Sequence, residues 1–166
     1  MKNNIKKAIS YFKKAKIVYK VTTENGTILS DGIFTIETFN RNYQKEIDSL
    51  NIPETTTDMA DRIIKSIRKD FSKAAILNLS INAKKDLLLN IVKNNDGFLY
   101  AVNSDFVKIA SSFSDLDCDI YSAKYAGNYD LLMLSSCAQV KCYILPIYHD
   151  VNTSISVFLK NIRKEG

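Results

Sequence analysis

The sequence predicts an α+β fold, a single domain of mainly antiparallel sheet covered by amphipathic helices. Three observations predict it. Apolar runs with strand-like alternation or β-branched residues are separated by turn residues, as in hairpins. Helical patterns lie around those runs in mixed order and not in regular strand-helix-strand units. The length of 166 residues fits one core, so we expect one domain over residues 1–166.

The composition is that of an ordinary globular chain. Apolar residues make up 46% and charged residues 25%, and five Gly with two Pro leave little room for a disordered linker. The apolar stretches are strand-sized, far short of the roughly 20 residues that span a bilayer, and the N-terminus lacks the apolar core of a signal peptide. We therefore expect a cytoplasmic protein with no membrane partner.

The positive charge is concentrated at the N-terminus. The chain has a net charge of +5, yet no acidic residue occurs before position 24. Such a field attracts phosphates or an acidic partner, and a solvated helix face is the plainer alternative. The lysines of this segment are Lys2, Lys6, Lys7, Lys13, Lys14, Lys16 and Lys20.

A helix followed by a hairpin is predicted first. Apolar residues recur at helical spacing from Asn4 to Ala15, which predicts an amphipathic helix. The period then changes to two, predicting a strand from Ile17 to Thr23. The turn that follows contains Asn25-Gly26, a pair that tolerates the positive φ of a type I′ turn, so a second strand is expected from Thr27.

The returning strand is interrupted by Ser30-Asp31-Gly32. A Gly within a strand pattern marks a bulge or a tight turn, so we expect a bend before the chain continues as Ile33-Phe34-Thr35-Ile36. Residues Thr38 to Leu50 show a weaker helical pattern. Asn51 to Thr57, which contains Pro53, reads as a connector.

A strong helix is predicted next, capped by Thr57 or Asp58. Its apolar residues form one stripe and its basic residues lie outside. The apolar set is Met59, Ile63, Ile64, Ile67 and Phe71, and the basic set is Arg62, Lys65, Arg68 and Lys69.

Two further segments precede a turn. Ala75 to Ile81 alternates as a half-buried strand. Leu87 to Val92 fits either a short helix or an additional strand, and the pattern does not decide between them. Asn94-Asn95-Asp96-Gly97 predicts the turn that ends this region.

The stretch from Asp96 to Asp150 is expected to form the sheet that the rest of the chain covers. It contains three apolar, β-favouring runs, at residues 98–102, 131–134 and 140–148. A helix capped by Asn103 or Ser104 is predicted up to Phe113, and a strand from Cys118 to Ser122. Residues Asn152 to Lys164 are predicted to close the chain as a helix.

The inventory of reactive residues is poor for catalysis. His149 is the only histidine, and a lone loop histidine is more typical of a surface than of a general base. A hydrolase acting through His149 is therefore the third-ranked hypothesis. The chain also lacks a phosphate-binding Gly-rich loop. We expect no enzyme, no cofactor and no metal.

The cysteines and clustered acids also have plain interpretations. The odd number of cysteines, in or beside strand-like runs, favours reduced, packed thiols over a disulfide framework. The alternating acids could gather oxygen ligands for a divalent metal, but such acids normally face water. The residues concerned are Cys118, Cys137 and Cys142, and Asp115, Asp117 and Asp119.

Two features could bind a partner. The first is a basic surface for the nucleic-acid backbone, which requires that the two basic helices lie on the same side of the sheet. The second is the apolar strand end at residues 144–147, where Pro146 removes a ladder donor, placed near the kinked Asp-Gly. The expected nucleic-acid-binding residues are Lys6, Lys7, Lys13, Lys14, Lys16, Arg62, Lys65 and Lys69.

With these residues in view, the chain resembles a reduced bacterial DNA polymerase sliding clamp, or the small clamp-like proteins of phages. Ser30-Asp31-Gly32 resembles the clamp's Thr-Asp-Gly segment after a strand. The order of extended entry, helix, two or three strands and a final apolar segment with Pro resembles residues 102–148, which end in Ile144-Leu145-Pro146-Ile147-Tyr148. Departures from the clamp pattern are Ser30 for Thr, Ile33-Phe34 for His-Arg, and Tyr148 for Arg.

The resemblance implies a fold and a function. In the clamp family these two segments line a hydrophobic pocket that captures linear peptides of partner proteins, and helices with basic residues face the duplex. A clamp subunit has three such domains, so a ring of this chain requires several copies. Carried over by position, the residues near a peptide pocket are Asp31, Gly32, Leu145, Pro146 and Ile147.

The leading hypothesis is thus a cytoplasmic, non-enzymatic, clamp-like protein, of phage origin, that binds DNA, a replication protein, or both. The alternative is a phage or mobile-element protein that inhibits a host enzyme or defence system by protein contact. The expected partners are DNA or a replication or defence protein of the host, with a homo-oligomer where a ring is formed.

Overall fold

A computed structural model describes residues 4–114, 118–125, 129–136 and 139–147. In the first half of the chain the elements are α1 (Asn4–Lys14), β1 (Tyr19–Thr22), β2 (Gly26–Ser30), β3 (Phe34–Phe39), α2 (Gln44–Asp48) and α3 (Thr57–Ile67). In the second half they are β4 (Ser72–Lys73), β5 (Ala75–Lys84), β6 (Leu87–Lys93), β7 (Leu99–Asn103), α4 (Ser104–Ser111), β8 (Asp119–Lys124), β9 (Asp130–Ser136) and β10 (Val140–Ile144).

The strands form two antiparallel sheets, which confirms the predicted α+β class. The large sheet has seven strands in the order β1-β2-β3-β10-β9-β8-β4, and the small sheet has three in the order β5-β6-β7. The expectation that the three apolar runs after Asp96 share one sheet is wrong. The first of them, as β7, joins the small sheet because it pairs with its near neighbour β6, with Ile91 opposite Ala101.

The large sheet buries apolar side chains on both of its faces, because successive residues of a strand point in opposite directions. Leu132 and Leu134 belong to one core and Leu131 and Met133 to another. The first core also contains apolar residues of α1, α4 and the small sheet, whereas the second contains Ile63 and other apolar residues of α3. We call the two sides the α1 face and the α3 face.

Aromatic rings fill the centre of the α1 face. Phe34 of β3 stacks between Phe12 of α1 and Phe106 of α4, with ring centroids 5.9 and 4.8 Å away. Tyr11 meets Phe34 and Phe106 edge-on at 5.6 and 5.0 Å. Such geometries add to the free energy of area burial, and they tie α1, α4 and the sheet together.

The order of elements repeats once. A helix followed by three strands occurs as α1-β1-β2-β3 and again as α4-β8-β9-β10. The two units join where β3 pairs with β10, with Ile36 opposite Cys142, and both helices pack on the α1 face. The sequence shows no repeat at a fixed period, so this repeat exists in the topology alone.

Most elements match the sequence-based predictions. Helices α1 and α3, the β1-β2 hairpin and the bend before β3 are confirmed, and Asn103 caps α4 by accepting a hydrogen bond from the Asp105 backbone N–H. The ambiguous segment 87–92 is a strand. The predicted helix at residues 152–164 lies outside the described residues, as do His149, Cys137, Asp115 and Asp117.

Two local predictions need correction. The helix expected from Thr38 to Leu50 is only Gln44–Asp48, because Thr38 still pairs with Val140 and Thr27 in the sheet. The turn at Asn25-Gly26 has no positive φ at either residue. Gly26 is required for another reason, since a Cβ there would lie 1.7 Å from the Thr38 carbonyl oxygen.

Candidate functional site

The bend after β2 and the segment after β10 meet at one end of the large sheet. Gly32 has φ +91, a value that glycine adopts without strain, and it turns the chain from β2 into β3. The Leu145 backbone N–H donates to the Ile33 carbonyl oxygen at 3.0 Å, extending the pairing of β10 and β3 beyond its last partners, Ile144 and Phe34. The two segments singled out from the sequence are therefore neighbours.

A cleft of about 180 Å³ lies beside this junction on the α3 face. Gly32, Ile33 and Leu145 form one wall. Ile33 is 52% exposed, so it offers apolar surface at the edge of the cleft. Helix α3 contributes Met59, Arg62, Ile63, Ser66 and Ile67, and the remaining lining residues are Tyr19, Ser30, Thr35, Tyr125, Leu131 and Tyr143.

Asp31 shapes the bend and does not line the cleft. Its Oδ1 accepts hydrogen bonds from the backbone N–H groups of Ile33 and Phe34 at 2.9 and 2.8 Å. Its other oxygen accepts a hydrogen bond from the Tyr11 hydroxyl. Burial and the Asp31 carboxylate raise the pKa of Tyr11 above its usual value. Asp31 thus fixes the turn and ties it to α1.

Pro146 and Ile147 connect the two sheets. Leu145 donates to the large sheet, Pro146 has no N–H, and the Ile147 N–H donates to the Ala101 carbonyl oxygen of β7 at 2.9 Å. The proline therefore lies where the chain leaves one sheet for the other, as expected for a residue that cannot donate to a ladder. Of the five expected partner-binding residues, Gly32 and Leu145 line the cleft. Asp31 holds the bend beside it, and Pro146 and Ile147 lead away to the small sheet.

A buried ionic group beneath α3 was missed by the sequence analysis. Glu37 of β3 has a side chain only 3% exposed and accepts hydrogen bonds from the Arg68 guanidinium and from the Tyr143 hydroxyl, the latter at 2.7 Å. Burial, and then Glu37, raise the pKa of Tyr143. Arg68 was expected to point outward with its neighbours. One signal of the buried ionic group was present in the sequence: Glu37 is the one charged residue of strand 34–39.

The basic residues do not form one surface. The condition for one basic surface, that both basic helices lie on the same side of the sheet, is not met, because α1 packs on one face and α3 on the other. Lys69 is only partly exposed and lies over the Tyr125 ring at 5.6 Å. The exposed residues of the α1 side are Lys6, Lys7, Lys13, Lys14 and Lys16, and those of α3 are Arg62 and Lys65.

Other site types find little support in the described part of the chain. No three His, Cys, Asp or Glu side chains come together there as a metal-ligand set. Cys118 and Cys142 are free thiols, and burial raises the pKa of Cys142. No helix among the residues described is both long and apolar enough to cross a membrane.

No family model, curated protein or solved structure matches this chain. Its function has to be argued from the cleft and from the charges.

Proposed function

We propose that this chain is a non-enzymatic, sliding-clamp-like binding protein that captures an apolar peptide segment of a replication protein in the cleft and holds DNA on α1. One observation carries the proposal. The Asp31-Gly32-Ile33 bend and Leu145, which the clamp resemblance singles out, lie side by side at an apolar cleft, joined by the hydrogen bond from Leu145 to Ile33.

The cleft has the chemistry of a peptide site. Met59, Ile63 and Leu145 offer apolar contact, and the exposed Ile33 side chain is available at the rim. Polar groups such as Arg62 stand among them and can fix the orientation of a bound chain. Few polar groups within a mostly apolar concave surface are typical of a binding site.

The order of elements supports the clamp-like part of the proposal. The resemblance rests on an extended entry, a helix and two or three strands that end at an apolar segment with proline. The chain has that order, as β7, α4, β8, β9 and β10, followed by Leu145-Pro146-Ile147. This order of elements supports the proposal in addition to the short motifs.

The DNA-binding part rests on α1. Its apolar residues are buried, and the exposed lysines Lys6 and Lys13, like Lys7 and Lys14, are separated by seven residues. That spacing is two helical turns, about 10 Å along the axis, so the four lysines form one stripe. Such a stripe contacts phosphates without reading sequence, and it leaves the cleft on the opposite face free.

Peptide capture is tested by selecting from a library of random heptapeptides on immobilised protein. We expect apolar-rich peptides to be enriched, and Ile33→Asp to weaken their binding at least about tenfold, because it places a charge at the apolar rim. Leu88→Asp is the matched control, since Leu88 is an exposed aliphatic residue of β6, in the small sheet, and does not line the cleft. Failure to enrich any peptide, or equal loss in both variants, would contradict the proposal.

DNA binding is tested by the salt dependence of retention of a duplex. We expect binding at low salt that weakens steeply as salt rises, and that is lost when Lys6, Lys13 and Lys14 are changed to Glu. Changing Lys45, Lys85 and Lys93 to Glu alters the net charge equally at other exposed lysines and should have a smaller effect. Peptide binding without any DNA retention would favour the alternative, an inhibitor that acts by protein contact on a host enzyme.

A further inference from the structure

Three of the four sheet edges are protected from pairing with another chain. The outer edge of β1 is occupied by the connector before α3, where the Thr55 N–H donates to the Lys20 carbonyl oxygen at 2.9 Å. The edge of β7 receives the Ile147 N–H at Ala101. The edge strand β4 is only two residues long. Covering and shortening are the usual ways in which proteins block such edges.

The fourth edge, at β5, has none of these features. The strand is ten residues long, and among the described strands β6 is its one partner in the sheet. Just before β5, the Ala74 N–H donates a hydrogen bond to the Ile120 carbonyl oxygen. Along β5 itself, no described residue makes a backbone hydrogen bond to the outer edge of the strand. The sequence contains no charged residue between Lys73 and Lys84, so the inward charges that usually guard an edge are also missing.

The side chains of β5 suit a continued sheet. Leu77, Leu79 and Ile81 are partly buried against the core of the α1 face, whereas Asn78 and Ser80 point outward and are exposed. A strand added alongside would extend both the apolar and the polar surface. The register with β6 shifts between Ile76 and Ser80 and again between Asn82 and Lys84, so the regular ladder after the first shift runs from Ser80 to Asn82.

We propose that two copies of this chain associate by antiparallel pairing of their β5 strands, which joins two three-stranded sheets into one. A symmetric pair requires only that the edge complement itself, and the uncharged residues 75–83 of β5 do so without placing like charges opposite each other. Each copy has a net charge of +5, so a contact between two copies is least unfavourable at a surface that places no lysines opposite each other. The β5 edge is such a surface, and it is independent of the cleft.

The test is the dissociation constant of self-association, measured by sedimentation equilibrium on the full chain. The double variant Asn78→Lys with Ser80→Lys places cations along the edge while leaving the buried side chains unchanged, and should weaken association about tenfold or more. The matched control is Asn95→Lys with Ser111→Lys, which adds the same charge at exposed positions elsewhere and should associate like the wild type.

Two further readouts keep the test independent of folding defects. Association should strengthen as salt rises, because salt screens the repulsion between the two positive copies. Amide hydrogen exchange at residues 77–83 should slow with protein concentration in the wild type and in the control pair. A wild type that is monomeric at all concentrations, or a dimer unaffected by the edge lysines, would overturn the proposal.

Discussion

The two faces of the large sheet differ in how completely they are covered. Three helices, α1, α2 and α4, and the small sheet close the α1 face, and the stacked rings of Phe12, Phe34 and Phe106 fill it. One long helix covers the α3 face, where a cleft remains and Glu37 is buried with its partners. Because the α1 face buries more apolar residues, we expect it to supply most of the folding free energy, whereas the α3 face keeps an open cleft.

The largest loss of folding free energy is expected at Phe34, and almost none at its neighbour Ile33. Phe34→Ala should cost about 3–5 kcal/mol of folding free energy, because the fully buried ring stacks on two others. Ile33→Ala should change stability by less than about 0.5 kcal/mol, because its side chain is half-exposed at the cleft. Urea unfolding of both variants measures the difference. Equal losses would mean that the two faces contribute alike to stability.

The next effect concerns the ionic group of the α3 face. Arg68→Met removes one of the donors to the buried Glu37 carboxylate. Breaking a fully buried pair costs about 3–5 kcal/mol, and we expect about 1–3 kcal/mol here because the Arg68 side chain is 48% exposed.

Two controls sharpen the Arg68 measurement. Adding Glu37→Gln to Arg68→Met should restore part of the stability, since it removes the unpaired charge. Arg62→Met, at an exposed arginine of the same helix, should have little effect. A loss as large for Arg62 as for Arg68 would show that the buried carboxylate is not the cause.

Alkaline pH should weaken the fold gradually. Burial raises the pKa of Tyr100, of Tyr143 and of the Cys142 thiol, so the unfolded chain releases these protons at lower pH than the folded chain. The folded state then binds more protons, and stability falls as pH rises above about 9, by up to about 1.4 kcal/mol per pH unit for each group. Below that range these groups are protonated in both states and their contribution is constant.

Urea unfolding measured between neutral and alkaline pH checks this slope. Tyr143→Phe should make the fall shallower, because one titrating group is removed from the α3 face. An unchanged slope in that variant, or stability that rises with pH, would contradict the assignment of a raised pKa to Tyr143.

Local patterns made the elements predictable, whereas the pairing of distant strands did not follow from them. The apolar periodicity of α1 and α3 and the Asn103 cap act within a few residues, so the sequence reveals them. The division into two sheets depends on which strands pair across the chain. The burial of Glu37 depends on Arg68 and Tyr143, which are distant in sequence.

The candidate site was predictable in part for the same reason. Gly32 and Leu145 stand out because a glycine in a strand pattern and a proline after a strand have few structural roles. The sequence does not show that α3 forms the opposite wall of the cleft, because this depends on the face of the large sheet against which α3 packs. The same placement separates Arg62 and Lys65 from the lysines of α1.

The central claim is that the partner peptide binds in the cleft and not at the lysine stripe of α1. Isoleucine methyl NMR tests it directly, using a peptide selected on the wild-type protein as the probe. When the peptide is titrated in, the methyl signals of Ile33, Ile63 and Ile67 should shift, and those of Ile5 and Ile9 should remain in place. Shifts confined to Ile5 and Ile9, or no shift at the cleft with bound peptide, would contradict it.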